Sequence, residues 1–181
     1  KKFIFNKIDK TSKKIITFFE KEKFDIVIHL AAQAGVRYSL VNPEKYLNTN
    51  ILGFSNLFES INTNKIKKVI YASSSSVYGD TKNFPTNEKN IIKPKNIYGY
   101  SKIINEHMAD YYSKKLKIPF IGLRFFTVYG TWGRPDMFIL KILNYHNKRK
   151  KFNLNNDGNH LRDFTSVKDV VNILMKIINT K

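Results

Sequence analysis

Cysteine does not occur in the 181-residue sequence. This absence excludes disulfide scaffolds, thiol nucleophiles and thiolate metal sites, and it suits a reducing, cytoplasmic location. Long apolar runs are also lacking. None approaches the roughly 18 to 20 residues of a membrane span, and the basic start KKFIFNKIDK has neither the apolar block nor the cleavage site of a signal peptide. We therefore expect no association with a membrane. The histidines share no metal-ligand spacing, so we also expect no metal: His29, His107, His146 and His160.

Acidic residues and arginine are scarce as well. Lysine and arginine together number 32 against 14 acidic residues, a formal charge of +18, yet only 5 of the 32 are arginine. One interpretation is a polyanion-binding surface, and the other is a solvated basic surface that reflects a codon bias toward lysine, asparagine and isoleucine. The lysines are scattered, which favours the second interpretation. We expect no nucleic-acid partner, although the charge would help to capture an anionic small molecule.

Apolar runs alternate with helical patterns along most of the chain. Three runs have the continuous apolar character of buried parallel strands: 24–32, 67–76 and 118–126. Helical patterns lie before and between them: 11–22, 43–61 and a helix that begins near Tyr98. This order predicts an α/β fold with a doubly wound, Rossmann-like parallel sheet.

The alternation loosens after residue 126, where a loop rich in Gly and Pro begins. Three further elements are predicted there: a helix at 136–149, a short strand at 151–154 and a helix from about Ser166. We therefore predict two parts, a partial nucleotide-binding domain over 1–126 and the beginning of a smaller substrate-binding domain over 127–181.

The segment YGYSK places a tyrosine and a lysine four residues apart at the start of a predicted helix. Tyr98 and Lys102 would share one helical face. An ammonium near a phenol favours the phenolate, so the pKa of the tyrosine would fall toward the range of a general base. A chance pair on a helical surface is the alternative, since the chain is rich in both residue types.

Polar segments follow each predicted strand at the carboxyl edge, where ligands bind in sheets of this kind. They are His29–Gly35, Ser73–Ser76 and Arg124–Gly130. Together with the segments around them, they resemble a family of known enzymes. The motifs that carry the resemblance are HLAAQAGVRYSL, YASSSSVYG, YGYSK, LRFFTVYG, GRPDM and LRDFTSVKD, in this order. The sequence resembles the extended short-chain dehydrogenase/reductases, and among them the nucleotide-sugar epimerases of the UDP-glucuronate 4-epimerase type.

The resemblance implies an NAD-dependent 4-epimerisation, in which C4 of the sugar is oxidised to a ketone and then reduced from the opposite face. Tyr98 matches the catalytic base, Lys102 the residue that binds the nicotinamide ribose, and Ser74 the catalytic hydroxyl. Related dehydratases and decarboxylating enzymes carry acidic residues where Ser75 and Ser76 stand. The serines therefore favour simple epimerisation.

Other matches imply the contacts to cofactor and substrate. Those to NAD are Asp9, Ala31, Ala32, Gln33 and Asn50, although Asn50 is equally a candidate for a helix-packing amide. Those to the nucleotide sugar are Arg37, Ser75, Ser76, Thr127, Arg134 and Arg162. The resemblance implies that Thr127 and Arg134 face the sugar carboxylate, and a guanidinium can pair with two carboxylate oxygens. A solvent-exposed loop arginine is the alternative, and Tyr129 and Trp132 are candidates for sugar contacts or for core packing.

The GxxGxxG turn with which this family begins is missing from the chain. We therefore expect an internal portion of a longer protein that by itself binds NAD poorly and is inactive. The resemblance also implies a possible homodimer. Two alternative functions stay open: another nucleotide-sugar epimerase or dehydratase, or a noncatalytic basic binding protein of the same fold.

Overall fold

The structure is a computed structural model that describes residues 3–61, 65–81, 83–159 and 161–180. The chain forms two compact units, Lys1–Arg124 and Phe125–Lys181. The domain boundary after residue 126 stays a prediction, because compactness alone does not define an independently folding domain.

The first unit is built on a parallel sheet of three strands in the order β1, β2, β3. Helices connect neighbouring strands, as parallel pairing requires. The elements are α1 Lys14–Lys21, β1 Ile26–His29, α2 Val36–Val41, α3 Pro43–Tyr46, a π-helical segment Leu47–Leu52, α4 Gly53–Ile61, β2 Lys68–Ala72, a 3-10 turn Ser75–Val77, α5 Ile97–Leu116 and β3 Phe120–Leu123. The predicted α/β fold with a Rossmann-like parallel sheet is confirmed.

The strands are shorter than the apolar runs that predicted them. Each run continues past its strand into residues that leave the sheet, such as Ala31 after β1 and Ser73 after β2. These residues line the carboxyl edge. Helix α2 was not predicted, because six residues are too few to give a helical period.

The core of the first unit lies where α1, α4 and α5 pack against alternate residues of the strands. Its buried members are Phe19, Val27, Phe54, Leu57, Phe58, Ile61, Ile66, Val69, Tyr71 and Ala109. Phe58 is fully buried, and its ring centroid lies 4.4 Å from that of Phe54, 4.7 Å from Tyr112 and 5.2 Å from Phe120. This aromatic group ties α4 to α5 and β3.

The second unit combines two short parallel strands with two helices. Its elements are β4 Thr127–Tyr129, α6 Phe138–Asn147, a 3-10 turn Asn155–Gly158, β5 Phe164–Ser166 and α7 Val167–Asn179. The Ser166 hydroxyl caps α7 by accepting a hydrogen bond from the Lys168 amide at 3.2 Å. The prediction of a strand at 151–154 is wrong, since these residues form no strand. Strands β4 and β5 were missed because three residues are too few to show an alternation.

Two further observations apply to the described residues alone. None of the helices described there combines the length and apolar character needed to cross a membrane. In those same ranges no three His, Cys, Asp or Glu side chains are grouped so that they could hold a metal ion. His160, considered above, lies outside the described residues.

Replacing Phe58 with alanine is expected to lower the free energy of unfolding by about 3 to 5 kcal/mol, because it leaves a cavity among three aromatic rings. Chemical denaturation followed by far-UV circular dichroism measures the change. Ile91→Ala is the control: Ile91 is 80% exposed, and its loss should change stability by no more than about 0.5 kcal/mol. Equal effects of the two substitutions would contradict the assigned core.

Candidate active site

Tyr98 and Lys102 lie on the first turns of α5. The Asn96 side chain caps this helix by accepting a hydrogen bond from the Gly99 amide at 2.9 Å, which fixes where the helix begins. Lys102 Nζ lies 5.8 Å from the ring centroid of Tyr98. The half-buried Tyr98 ring packs edge-on against Tyr46, with the centroids 6.1 Å apart. The helix therefore holds an ammonium group beside a phenol.

The Lys102 ammonium is buried at the carboxyl end of the sheet. Its side chain is among the buried polar groups, with the residue only 3% exposed, and Nζ donates a hydrogen bond to the carbonyl oxygen of Ala72 at 2.7 Å. Ala72 is the last residue of β2. Burial lowers the pKa of Lys102 to about 8. At neutral pH the group is still mainly protonated, so it brings a positive charge to the strand end.

The serine segment follows β2 at the same edge. Ser73 and Ser74 are buried, whereas Ser75 and Ser76 are half-buried. The Ser74 hydroxyl oxygen accepts a hydrogen bond from the Ser76 amide at 3.2 Å and caps the 3-10 turn Ser75–Val77. The predicted catalytic hydroxyl is thus oriented by the turn that follows it.

A salt bridge that the sequence analysis missed joins this segment to α5 and β3. Arg124 donates to both carboxylate oxygens of Glu106, at 2.9 and 2.7 Å, and to the Tyr78 hydroxyl at 3.0 Å. Ser73 Oγ donates to Glu106 Oε1 at 2.5 Å. Hydrogen bonding to Glu106 holds the pKa of Arg124 above its usual range. One signal was present in the sequence: Glu106 follows Lys102 by one helical turn, on the same face.

Tyr71 is a second phenol near this network. It is 5% exposed, and burial, followed by the negative charge of Glu106, raises its pKa. Its hydroxyl lies against Gly122 of β3, where an added Cβ would be 2.5 Å from the phenolic oxygen. Position 122 therefore has to lack a side chain for this ring to fit.

Asn50 holds the loop after β1 in place. It is 1% exposed, accepts from the Gln33 amide at 2.8 Å and donates to the Gln33 carbonyl at 3.0 Å and to Ser101 Oγ at 3.0 Å. Asn105 in turn donates to the Asn50 carbonyl at 2.8 Å. These contacts correspond to the helix-packing alternative for Asn50. The side chain secures the loop that contains Ala31 and links it to α5.

The other residues predicted around the cofactor lie in the loop after β1 and in the segment before α1. Ala31 is exposed, and Ala32 and Gln33 are half-buried. Asp9 is exposed, and hydrogen bonds from the Thr11 amide and hydroxyl, at 2.9 and 2.8 Å, lower its pKa. Asp9 therefore acts here as the first residue of a turn.

Lys10 also reaches this edge, which the sequence analysis did not predict. Its Nζ donates to the carbonyl oxygen of Ala31 at 2.6 Å and lies 3.3 Å from His29 Nε2. Burial, then the positive charge of Lys102, lowers the pKa of Lys10 to about 8. Burial and the two ammonium groups together lower the pKa of His29 to about 3, so this imidazole is neutral.

Arg37 is exposed on α2 of the first unit. The remaining predicted substrate residues belong to the second unit: Thr127, Arg134 and Arg162. Thr127 begins β4 and lines an apolar cavity of ≈ 230 Å³ against α6. Trp132 is 98% exposed, so the core-packing alternative for this residue is wrong.

Arg134 and Arg162 differ in their contacts. Arg134 donates from Nε and Nη2 to the two carboxylate oxygens of Asp136, at 3.0 and 2.5 Å, and this pairing lowers the pKa of Asp136. Arg162 is exposed and donates weakly to the Leu161 carbonyl at 3.4 Å. The Arg134 guanidinium thus already binds a carboxylate in the manner predicted for the substrate.

The chain is similar in sequence to several curated proteins. Protein CapI of Staphylococcus aureus is 44% identical over 183 residues, covering 97% of this chain and 53% of that protein. A probable UDP-glucuronate 4-epimerase of Rhizobium meliloti is 38% identical over 154 residues, covering 84% of this chain and 45% of that protein. The chain therefore spans about half the length of the curated relatives it matches.

The fold is also similar to that of a solved structure. The UDP-glucuronic acid 4-epimerase of Bacillus cereus, crystallised with UDP-glucuronic acid and NAD, superposes with a TM-score of 0.89 at 32% identity. The match covers 96% of this chain and 55% of that one. A model of the NAD dependent epimerase/dehydratase family matches residues 1–181. Because the match extends over every residue, the chain belongs to the NAD dependent epimerase/dehydratase family.

Proposed function

We propose that these residues form part of an NAD-dependent 4-epimerase of a nucleotide sugar, and that its substrate is UDP-glucuronate, converted to UDP-galacturonate. The observation that carries the proposal is the grouping of Tyr98, Lys102 and Ser74 at one edge of the sheet. The activity is proposed for a protein of the relatives' length that contains this chain. A cytoplasmic location and a homodimer belong to the same proposal.

The residues at the strand ends fit a bound dinucleotide. The buried Lys102 ammonium provides a donor for a ribose hydroxyl, and the small side chains of Ala31 and Ala32 allow a close approach to the loop after β1. Gln33 and Asp9 complete the proposed contacts. When bound, NAD would provide the nicotinamide that accepts the hydride from C4 and later gives the hydride back to the ketone.

Three side chains would take part in proton transfer at C4 of the sugar and in stabilising the C4 oxygen. Tyr98 accepts the proton of the C4 hydroxyl, and the positive charge of Lys102 favours the phenolate that this requires. The Ser74 hydroxyl donates a hydrogen bond to the oxygen that becomes a carbonyl. Neither Ser75 nor Ser76 has an acidic side chain for proton transfer at C5 or C6, which supports epimerisation without loss of water or carbon dioxide.

The proposed preference for an acidic sugar depends on Arg134 and Thr127. A guanidinium binds a carboxylate through two parallel hydrogen bonds, and a neighbouring hydroxyl would fix the carboxylate's rotation. Because Arg134 binds Asp136 in this way, the substrate carboxylate has to compete with an internal one. Arg162 is proposed to bind the nucleotide diphosphate, and Arg37 a further anionic oxygen.

We also propose that Glu106 and Arg124 position the serine segment. The carboxylate of Glu106 binds Ser73, which precedes the proposed catalytic Ser74, and it lies one helical turn beyond Lys102. Arg124 binds Tyr78, two residues beyond the segment. The first residue of the segment and a residue just after it are therefore both tied to one ion pair.

Tyr98→Phe should lower kcat for UDP-glucuronate epimerisation by about 10² to 10⁴-fold, because the proton acceptor is lost, with little change in KM. Product formation is measured by chromatography of the two UDP-uronic acids, using a protein of the relatives' length. Tyr100→Phe is the matched control, since Tyr100 is 53% exposed on the same helix and should keep full activity. Full activity of the Tyr98 variant would refute the assigned base. A wild-type protein that converts only neutral UDP-sugars would refute the substrate.

Arg134→Leu should reduce the preference for UDP-glucuronate over UDP-glucose, measured as the ratio of kcat/KM values, by about 10 to 100-fold. This range corresponds to loss of a charged hydrogen bond worth about 1.5 to 3 kcal/mol. Asp136→Asn removes the internal competitor and keeps the guanidinium, so the preference should persist or rise. An unchanged preference in the Arg134 variant would exclude its role in carboxylate recognition.

Glu106→Gln should lower the free energy of unfolding by about 1 to 3 kcal/mol, because Arg124 loses its charged partner in a mostly buried setting. It should also lower kcat more than it raises KM, since the serine segment loses its anchor. Asp110→Asn serves as control: its pairing with Lys114 is exposed and should contribute less than about 1 kcal/mol. Loss of stability with unchanged kcat would reduce Glu106 to a purely structural role.

A further inference from the structure

Lys10 brings a second, half-buried positive charge to the carboxyl edge of the sheet. Its ammonium donates to the carbonyl oxygen of Ala31 and contacts His29, both in the segment that ends β1. Among the described residues, Lys10 forms no salt bridge. An ammonium has three protons to donate, and the neutral imidazole of His29 and one carbonyl do not offset its charge.

The fold directs Lys10 to this position. Asn56 of α4 donates to the carbonyl oxygens of Lys10 and Thr11, at 3.1 and 2.9 Å, and so holds the backbone against the helix. The aliphatic stem then passes over Gly53, where an added Cβ would lie 2.9 Å from Lys10 Cγ and 3.0 Å from Cε. Gly53 therefore leaves room for the Lys10 side chain, and the buried Asn56, one turn later in α4, fixes the backbone from which this side chain extends.

The charge at this edge is unbalanced. Burial, followed by the charges of Lys10 and Lys102, lowers the pKa of His29. Burial, followed by the charge of Lys102, lowers the pKa of Lys10. Asp9 is the carboxylate whose charge favours the protonated Lys10, and it is bound to Thr11. Two ammonium groups and a neutral imidazole thus converge where the proposed cofactor would lie, and an anion there would relieve their repulsion.

We propose that Lys10 binds the diphosphate of the dinucleotide cofactor. This inference rests on the proposed binding of NAD at the carboxyl edge. The diphosphate is the anionic part of NAD, since the adenine is neutral and the nicotinamide ring is positively charged. Lys10 would exchange its hydrogen bond to the Ala31 carbonyl for a charge-assisted one to a phosphate oxygen.

Calorimetric titration tests the proposal, with a protein of the relatives' length from which bound nucleotide has been removed. Lys10→Met keeps the apolar stem and removes the charge. It should weaken binding of ADP-ribose and of NAD by about tenfold, the value expected for one charged hydrogen bond, and leave adenosine binding unchanged. Lys7→Met is the control, because Lys7 is an exposed lysine of the same segment and its loss should leave all three affinities unchanged.

A second measurement needs no variant. Acetylation of the wild-type protein by a limiting amount of acetic anhydride, read by peptide mass spectrometry, reports the accessibility of each lysine. ADP-ribose should protect Lys10, whereas adenosine should not, and Lys7 should react equally in all samples. Equal acetylation of Lys10 with and without ADP-ribose would overturn the proposal, as would a Lys10→Met variant that binds ADP-ribose as tightly as the wild type or more tightly.

The outcomes separate this inference from the proposed function. A wild-type enzyme that binds NAD and converts UDP-glucuronate, together with an unaffected Lys10 variant, would overturn the role of Lys10 alone. Binding of ADP-ribose that depends on Lys10 in a protein without epimerase activity would overturn the proposed reaction alone. A wild-type protein that binds neither nucleotide would overturn both.

Discussion

The hydrogen bond from the Lys102 ammonium to the Ala72 carbonyl is the contact on which the candidate site depends. Burying a lysine is unfavourable unless its protons find acceptors, and the end of β2 provides one. The bond fixes α5 against the sheet with the charged end of Lys102 at the strand terminus. Tyr98, one turn earlier, is then placed at the same edge, and the serine segment begins at the next residue after Ala72. A substitution at Lys102 would therefore change both the charge and the packing of this edge.

The loop after β1 is held by the hydrogen bonds of a single asparagine side chain. The π-helical segment Leu47–Leu52 carries Asn50, whose amide binds both backbone groups of Gln33 as well as Ser101 of α5. Irregular helical turns of this kind often occur at functional sites, where they direct one side chain away from the regular pattern. Here one asparagine fixes a loop and a helix at the same edge of the sheet. A backbone held by these hydrogen bonds suits the cofactor site proposed at this edge.

Sequence reasoning reached the fold because buried parallel strands and their crossover helices have a clear pattern, seen in 24–32 and 67–76. It failed for elements too short to show a period, such as β4, and it gave a false strand at 151–154. The YGYSK spacing was informative because helical geometry alone places the two side chains together. The contacts of Glu106 with Arg124 and of Lys10 with Ala31 were missed, since partners 18 and 21 residues apart meet only after folding. The proposed function follows from family resemblance, not from periodicity.

Tyr71 gives the first unit a phenol with acid–base behaviour opposite to that of the proton acceptor proposed at Tyr98. Burial, followed by the negative charge of Glu106, raises the pKa of this hydroxyl and so opposes loss of its proton. Gly122 makes room for it, since an added Cβ there would lie 2.5 Å from the phenolic oxygen. The first unit thus holds these two phenols in different environments: Tyr71 is buried on the central strand, and Tyr98 is half-buried beside Lys102 at the carboxyl edge.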